Sequence, residues 1–150
     1  MPKRRTAGFL AGIAQAGLTH DPCLEVGGDF GIDGGQEAMS RLLDLDDPPT
    51  AVFAMSDEMA FGALMELAAR GLQPGADVSV IGVDDHDVSR VLGLTTIRQD
   101  VASQGAAAAR SLVAVMASVP IDVDPIVAPI ELVVRATTGP PQVLRADPPR

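Results

Sequence analysis

The sequence contains few aromatic residues, one cysteine and two histidines. Tryptophan and tyrosine are absent and only four phenylalanines occur, so the core must consist mainly of aliphatic residues. A single cysteine, Cys23, excludes an internal disulfide framework, and we expect it to be a small buried residue beside a strand. The two histidines, His20 and His86, lie far apart without partners at ligand spacing, so no metal site is predicted.

Basic residues are also scarce. Eleven of them stand against 20 acidic residues, which gives a net charge of −9. Affinity for DNA comes mainly from Lys and Arg side chains that neutralise phosphates. We therefore expect this chain, taken alone, not to bind DNA. No apolar run reaches the ~18 residues of a membrane-spanning helix, and the N-terminus lacks the apolar region of a signal peptide. We therefore predict a cytoplasmic protein with no membrane partner.

Two common catalytic motifs are missing as well. No Gly-x-Gly-x-x-Gly segment follows a predicted strand, which argues against a bound dinucleotide. No Gly-x-Ser-x-Gly segment occurs, so hydrolase chemistry is not indicated. We predict no catalytic residues, no cofactor and no enzymatic activity.

Short apolar runs alternate along the chain with segments of helical periodicity. Continuous apolar runs bounded by turn residues are typical of strands buried on both faces, and we predict such strands at residues 51–55, 78–83 and 130–134, with a weaker one at 23–26. Helices are predicted to end at Gly17, to run from after Gly34-Gly35 to before Pro48, and to cover residues 57–70 and 101–116. The alternation predicts an α/β fold with a parallel sheet flanked by helices. Because the first helix has no strand before it, we expect an incomplete sheet.

The predicted elements divide the chain at residue 136. Residues 1–136 carry the alternating pattern and are predicted to form one domain. Residues 137–150 are rich in proline and have no periodicity, so we expect this tail to be disordered.

Polar side chains stand where two predicted strands end. Ser56 and Asp57 follow the first strand, and Asp84 and Asp85 follow the second. In open α/β sheets, ligands bind beyond the carboxyl ends of strands. Either Ser56 or Asp57 is expected to cap the following helix, and for Asp57 we favour capping over ligand contact. For Asp84 we favour ligand contact, because no helix evidently begins there, whereas Asp85 and the two residues after it indicate a solvated turn.

Several segments resemble the LacI/GalR family of transcription regulators, in the family's order and at sensible spacing. They are RTAGF at 5–9, GDF at 28–30, PTAVFAMSDEMAFGA at 49–63, RGLQPGADVSVIGVDD at 70–85, LTTIRQD at 94–100 and ELVVR at 131–135. The resemblance implies a periplasmic-binding-protein-like fold of type I, in which two lobes close on a small effector. It further implies that this chain supplies most of the second lobe, with the helix at 101–116 belonging to the first. We expect the DNA-binding headpiece and the rest of the first lobe to be missing here.

The resemblance also assigns candidate effector-binding residues. Arg5 would bind the effector through its planar fork, Asp84 would accept effector hydroxyl or N–H groups, and Phe30 would stack on the ring. Ser56 stands where many family members have Asn, which leaves the effector's identity open, and Gln99 would reach the ligand at the lobe boundary. From the residues alone, Arg5 could instead be a solvated side chain and Phe30 a core residue.

The resemblance implies a homodimer, as well as a sugar-like or purine-like effector. The candidate subunit contacts are Phe61, Val88, Val91 and Leu92, although Phe61 is equally well explained as a core residue. DNA would be bound only through the headpiece of the whole regulator. The alternative is a solute-binding protein of a sugar ABC transporter, which shares the fold but requires export.

Overall fold

The computed structural model describes residues 2–119 and 127–140. In chain order the elements are α1 (Pro2–Gln15), a 3-10 helix (Pro22–Leu24), α2 (Ile32–Leu43), β1 (Ala51–Phe53), α3 (Asp57–Ala69), β2 (Ser79–Asp84), α4 (Asp87–Val91), β3 (Thr95–Gln99), α5 (Val101–Met116) and β4 (Ile130–Val133). The predicted α/β alternation is therefore present. Among the described residues, no helix combines the length and the apolar character needed to cross a membrane.

The four strands form one sheet in the order β1-β2-β3-β4. Strands β1 and β2 run parallel, as predicted, and so does β3, where no strand was predicted. Strand β4 runs antiparallel to β3. Gln99 at the end of β3 pairs with Ile130 at the start of β4, so the chain comes back into the sheet at the end where it left. This return reverses the direction of the last strand. A fully parallel sheet was therefore a wrong prediction for β4.

The weaker strand predicted at residues 23–26 is absent. The Asp21 carboxylate accepts a hydrogen bond from the Cys23 amide at 2.8 Å, and Pro22 stands at the start of the 3-10 turn that follows. A side-chain cap and a proline both favour a turn over a strand. Cys23 is consequently exposed, contrary to the expected burial.

Helices α2 and α3 pack closely through glycines. A Cβ atom at Gly62 would overlap the Ile32 carbonyl oxygen, and one at Gly35 would overlap the Met59 carbonyl oxygen. The two backbones can approach this closely only without side chains at these positions. Contrary to the prediction, α2 therefore begins before its glycine pair and uses Gly35 as a contact surface.

The hydrophobic core lies between α3, α2 and the sheet. Helix α3 is apolar almost all round, which is typical of a helix that packs against several neighbours. Its fully buried Leu67 is part of the core. Met39 from α2, Val80 from β2 and Leu94 before β3 complete the centre of the core, each at most 1% exposed.

The predicted domain boundary at residue 136 lies too early. Thr137 is only 3% exposed. Its hydroxyl donates to the Val80 carbonyl at 2.7 Å and accepts from the Thr95 amide at 2.9 Å. Its own carbonyl accepts from the Val80 amide, so the ordered chain continues past β4 along the sheet. Residues 141–150 of the predicted tail lie outside the described residues.

Gly62→Ala tests the close packing of α2 and α3. We expect a loss of about 1–3 kcal/mol in the free energy of unfolding, because the new methyl group must push the two backbones apart. Gly8→Ala is the control, since a Cβ at Gly8 meets nothing within 4 Å. It should stabilise α1 by about 0.5–1 kcal/mol. Urea denaturation measures both changes, and equal stabilities for the two variants would contradict this packing.

Candidate functional site

Three side chains from distant parts of the sequence meet at the carboxyl end of β2. Asp84 is the last residue of β2, and the Arg5 guanidinium on α1 lies 3.8 Å from its Oδ1 atom. Gln99, the last residue of β3, donates from Nε2 to the same Oδ1 at 2.6 Å. Arg5 also donates to the Met55 carbonyl after β1, which anchors the start of α1 beside the sheet. Three of the five predicted binding residues are thus in one place.

The Asp84 carboxylate is accessible enough to meet a ligand. Its side chain is 44% exposed, and both described contacts fall on Oδ1. Burial raises the pKa of this carboxyl, while the positive charge of Arg5 opposes the rise and the negative charge of Asp57 adds to it. Asp84 and Gln99 line an open cavity of about 500 Å³.

Ser56 and Phe30 form a second pair beside this group. The Ser56 hydroxyl donates to the Phe30 carbonyl at 3.4 Å and accepts from the Met59 amide at 3.2 Å. Ser56 is therefore the N-cap of α3, and at 6% exposed it is engaged with the backbone. Phe30 is 36% exposed, so it is not a core residue.

The Phe30 ring lines a different cavity from that of Asp84. This cavity of about 410 Å³ lies between α1 and the β1 side of the sheet and is mainly apolar. Phe9 and Phe53 stack within its lining, with ring centroids 5.5 Å apart. Of the five predicted residues, Asp84 and Gln99 therefore line one cavity and Phe30 lines another.

Asp57 has a different role from the one predicted. Its side chain is 1% exposed and accepts hydrogen bonds from the His86 amide at 2.8 Å and from the hydroxyls of Ser89 and Thr96 at 2.5 Å each. Of the two expected caps, Ser56 supplies the capping oxygen. Local spacing gave no signal for this network, because the partners stand 29, 32 and 39 residues away.

Asp85 is likewise a structural anchor and not part of a solvated turn. Its carboxylate accepts from Arg98 Nε and from Arg135 Nη2, each at 2.6 Å. Burial pushes the pKa of Asp85 upward, but the hydrogen bonds and charges of Arg135 and Arg98 outweigh it and lower the pKa. Arg135 also donates to the Leu94 carbonyl at 2.7 Å, which ties the chain after β4 to the sheet. The turn continues into α4, where His86 is the N-cap.

Left-handed backbone conformations cluster at this end of the sheet. Phe30, Asp84 and Asp85 have φ angles of 65°, 127° and 58°. Such conformations in non-glycine residues cost on the order of 1–3 kcal/mol each and persist only where neighbouring contacts hold them. Because such residues gather at ligand clamps, they add to the case for a binding site here.

The predicted subunit contacts differ in exposure. Phe61 is 7% exposed and belongs to the core, where its ring lies edge-on to His86 at 6.1 Å. Val88, Val91 and Leu92 are exposed by 40%, 77% and 47%. Of the four predicted contacts, these three, on α4 and at its end, are exposed and Phe61 is not. Among the described residues, no group of three His, Cys, Asp or Glu could hold a metal ion.

Comparison with known proteins identifies the family. The model of the periplasmic binding protein-like domain matches residues 1–138. The chain belongs to this family. The periplasmic-binding-protein-like domain is 42% identical over 97 residues to the HTH-type transcriptional repressor CytR of Escherichia coli K12, which is 63% of this chain and 28% of the repressor.

Solved structures carry the same fold. A LacI-type regulator from Bacillus cereus superposes with a TM-score of 0.86 at 27% identity, over 91% of this chain and 49% of that one. A LacI-family regulator from Enterococcus faecium with bound ribose gives 0.82 at 28% identity, over 92% and 51%. The resemblance to LacI/GalR regulators and the type of fold are thus confirmed. The domain spans about half of these solved chains.

Proposed function

We propose that this domain is the effector-binding part of a LacI-type transcription regulator and that Arg5, Asp84 and Gln99 bind a small ligand with several hydroxyl groups. The observation that carries the proposal is the meeting of these three side chains at the end of the parallel strands. They come from α1, β2 and β3, and the Asp84 carboxylate between them is 44% exposed. The carboxyl ends of parallel strands are the usual position of ligands in such sheets.

The chemistry of the three groups suits a sugar. The guanidinium offers several donors in a planar fork, and a carboxylate accepts hydrogen bonds from neighbouring hydroxyls. The Gln99 amide supplies both a donor and an acceptor. Phe30 lines the separate apolar cavity, so the three polar side chains alone are assigned to the ligand. The same donors and acceptors would also fit a purine base, which is the second ligand class that we propose.

The regulator is favoured over the transporter-linked alternative. The named relative is a transcriptional repressor, and the named solved structures are LacI-family regulators. These relatives are regulators and not enzymes. We infer a cytoplasmic role, because such regulators act on DNA. With a net charge of −9, the domain itself would not attract DNA, so we assign that contact to a separate headpiece in the whole regulator.

The mechanism that we propose is a ligand-dependent shift between two arrangements of the sensor. An effector can shift such an equilibrium only by binding one arrangement more tightly. Arg5 and Gln99 stand on elements separate from that of Asp84, so a ligand that bridges them would favour the arrangement in which the three are close. In the whole regulator this difference would be coupled to DNA affinity.

Arg5→Ala tests the binding site, with Arg4→Ala as the matched control on the same helix. We expect ribose to bind the wild-type chain with a dissociation constant near or above ~1 mM. Binding should be this weak because water competes with ribose for hydrogen bonds to the exposed Asp84 carboxylate. Arg5→Ala should weaken binding at least tenfold, since hydrogen bonds to charged groups contribute about 1.5–3 kcal/mol. Arg4→Ala should change it less than about twofold.

Shifts of amide NMR signals during a ribose titration measure these constants. Sucrose and a purine base are tested in parallel, because the ligand class is open. Equal weakening by Arg4→Ala and Arg5→Ala would contradict the assigned site. Absence of saturable shifts near Asp84 with every ligand would contradict the proposed function.

We further propose that the domain forms a dimer through Val88, Val91 and Leu92. Three exposed apolar side chains in one short segment are a candidate contact surface. Val91→Glu should lower the dimer fraction in sedimentation velocity, because it would place a charge in the contact. Val101→Glu, at a position 67% exposed on α5, is the control. If both variants lower the dimer fraction equally, α4 is not the contact.

A further inference from the structure

Asp57 is the one charged side chain that is buried among the residues that the structure describes. Burying a carboxylate is costly unless hydrogen bonds replace its water. Here all of its described donors come from other parts of the fold, namely the start of α4 and the middle of β3. The carboxylate therefore links α3, α4 and β3.

The link leads to the backbone directly after Asp84. Oδ2 of Asp57 accepts from the His86 amide at 2.8 Å. Oδ1 accepts from the Thr96 hydroxyl, which in turn accepts from the Asp85 amide at 3.3 Å. Both peptide N–H groups that follow Asp84 are thus held, one directly and one through Thr96.

The strand before Asp84 is shaped to the same carboxylate. A Cβ atom at Gly82 would overlap Oδ1 of Asp57, so β2 passes directly beneath it. Asp84 and Asp85 then take left-handed conformations with φ angles of 127° and 58°. Two successive non-glycine residues keep left-handed conformations only where other parts of the fold hold them. The hydrogen bonds from the His86 amide to Asp57, and from the Asp85 amide to Asp57 through Thr96, are such contacts.

We propose that Asp57 is a positioning residue of the ligand site. By holding the Asp85 and His86 amides it keeps the left-handed turn that directs the Asp84 carboxylate to Arg5 and Gln99. The effect of Asp57 on ligand affinity rests on the proposed function of Asp84. Its effect on the Asp84–Gln99 hydrogen bond is independent of that function, and the affinity and the hydrogen bond can be measured separately.

The first test compares Asp57→Asn with Glu58→Gln in the full chain. Each removes one negative charge from the first turn of α3, but Glu58 is exposed. An asparagine cannot accept from the His86 amide and from Thr96 at once, because one of its two terminal atoms is a donor. We expect Asp57→Asn to shift the Gln99 side-chain amide signal toward its solvent-exposed position. Ribose affinity should fall at least about fivefold, measured well below the melting temperature. Glu58→Gln should change neither.

A second pair of variants covers the case in which Asp57→Asn does not fold. Thr96→Val removes the hydroxyl between Asp57 and the Asp85 amide, while Thr96→Ser retains it. We expect faster hydrogen exchange at the Asp85 amide and a shifted Gln99 signal in Thr96→Val. Thr96→Ser should behave like the wild type. A role limited to stability would lower the melting temperature of a variant without moving the Gln99 signal or the affinity of the folded protein.

The possible outcomes separate the two proposals. If Asp57→Asn or Thr96→Val moves the Gln99 signal but ribose, sucrose and purine do not bind the wild type, positioning is supported and the proposed function fails. If the wild type binds ribose and the folded variants keep both the Gln99 signal and the affinity, the positioning proposal is overturned. Equal effects of Thr96→Ser and Thr96→Val, or of Glu58→Gln and Asp57→Asn, would overturn it as well.

Discussion

The hydrogen bonds of the buried Asp57 carboxylate join the start of α3 to α4 and β3. The carboxylate accepts from His86, Ser89 and Thr96, and all three bonds cross between elements. An unpaired charge at this depth would oppose folding, so the carboxylate and its donors must assemble together. Gly82 leaves room for the carboxylate above β2. The position of the β2 end, and therefore of the candidate site, depends on this arrangement.

The Asp85 ion pairs extend the same end of the sheet toward β4. Arg98 on β3 and Arg135 after β4 both donate to the Asp85 carboxylate. The backbone that follows Asp84 is thus held by Asp57, and the side chain of the next residue, Asp85, is held by two arginines. The Asp84 carboxylate itself faces Arg5 and Gln99. A rigid frame with one half-exposed acidic group is suited to recognition, because little conformational entropy is lost when a ligand binds.

The sequence predicted those helices and strands that a pattern of neighbouring residues marks. Helix α3 was predicted from helical periodicity, and β2 from its apolar run. No strand was predicted at β3, because residues 95–99 do not form a continuous apolar run. The hydroxyls of Thr95 and Thr96 are nevertheless hydrogen-bonded inside the fold. Networks such as Asp85–Arg135 join residues 50 positions apart, and no local spacing reveals them. The grouping of Arg5 with Asp84 came from the family resemblance and from no local pattern.

A crystal structure of the chain grown with excess ribose would show directly whether a ligand is bound at the carboxyl end of β2. We expect ribose within hydrogen-bond distance of the Asp84 carboxylate, with Arg5 or Gln99 as a second contact. Ribose found only in the apolar cavity of about 410 Å³ beside α1, away from Asp84, would contradict it.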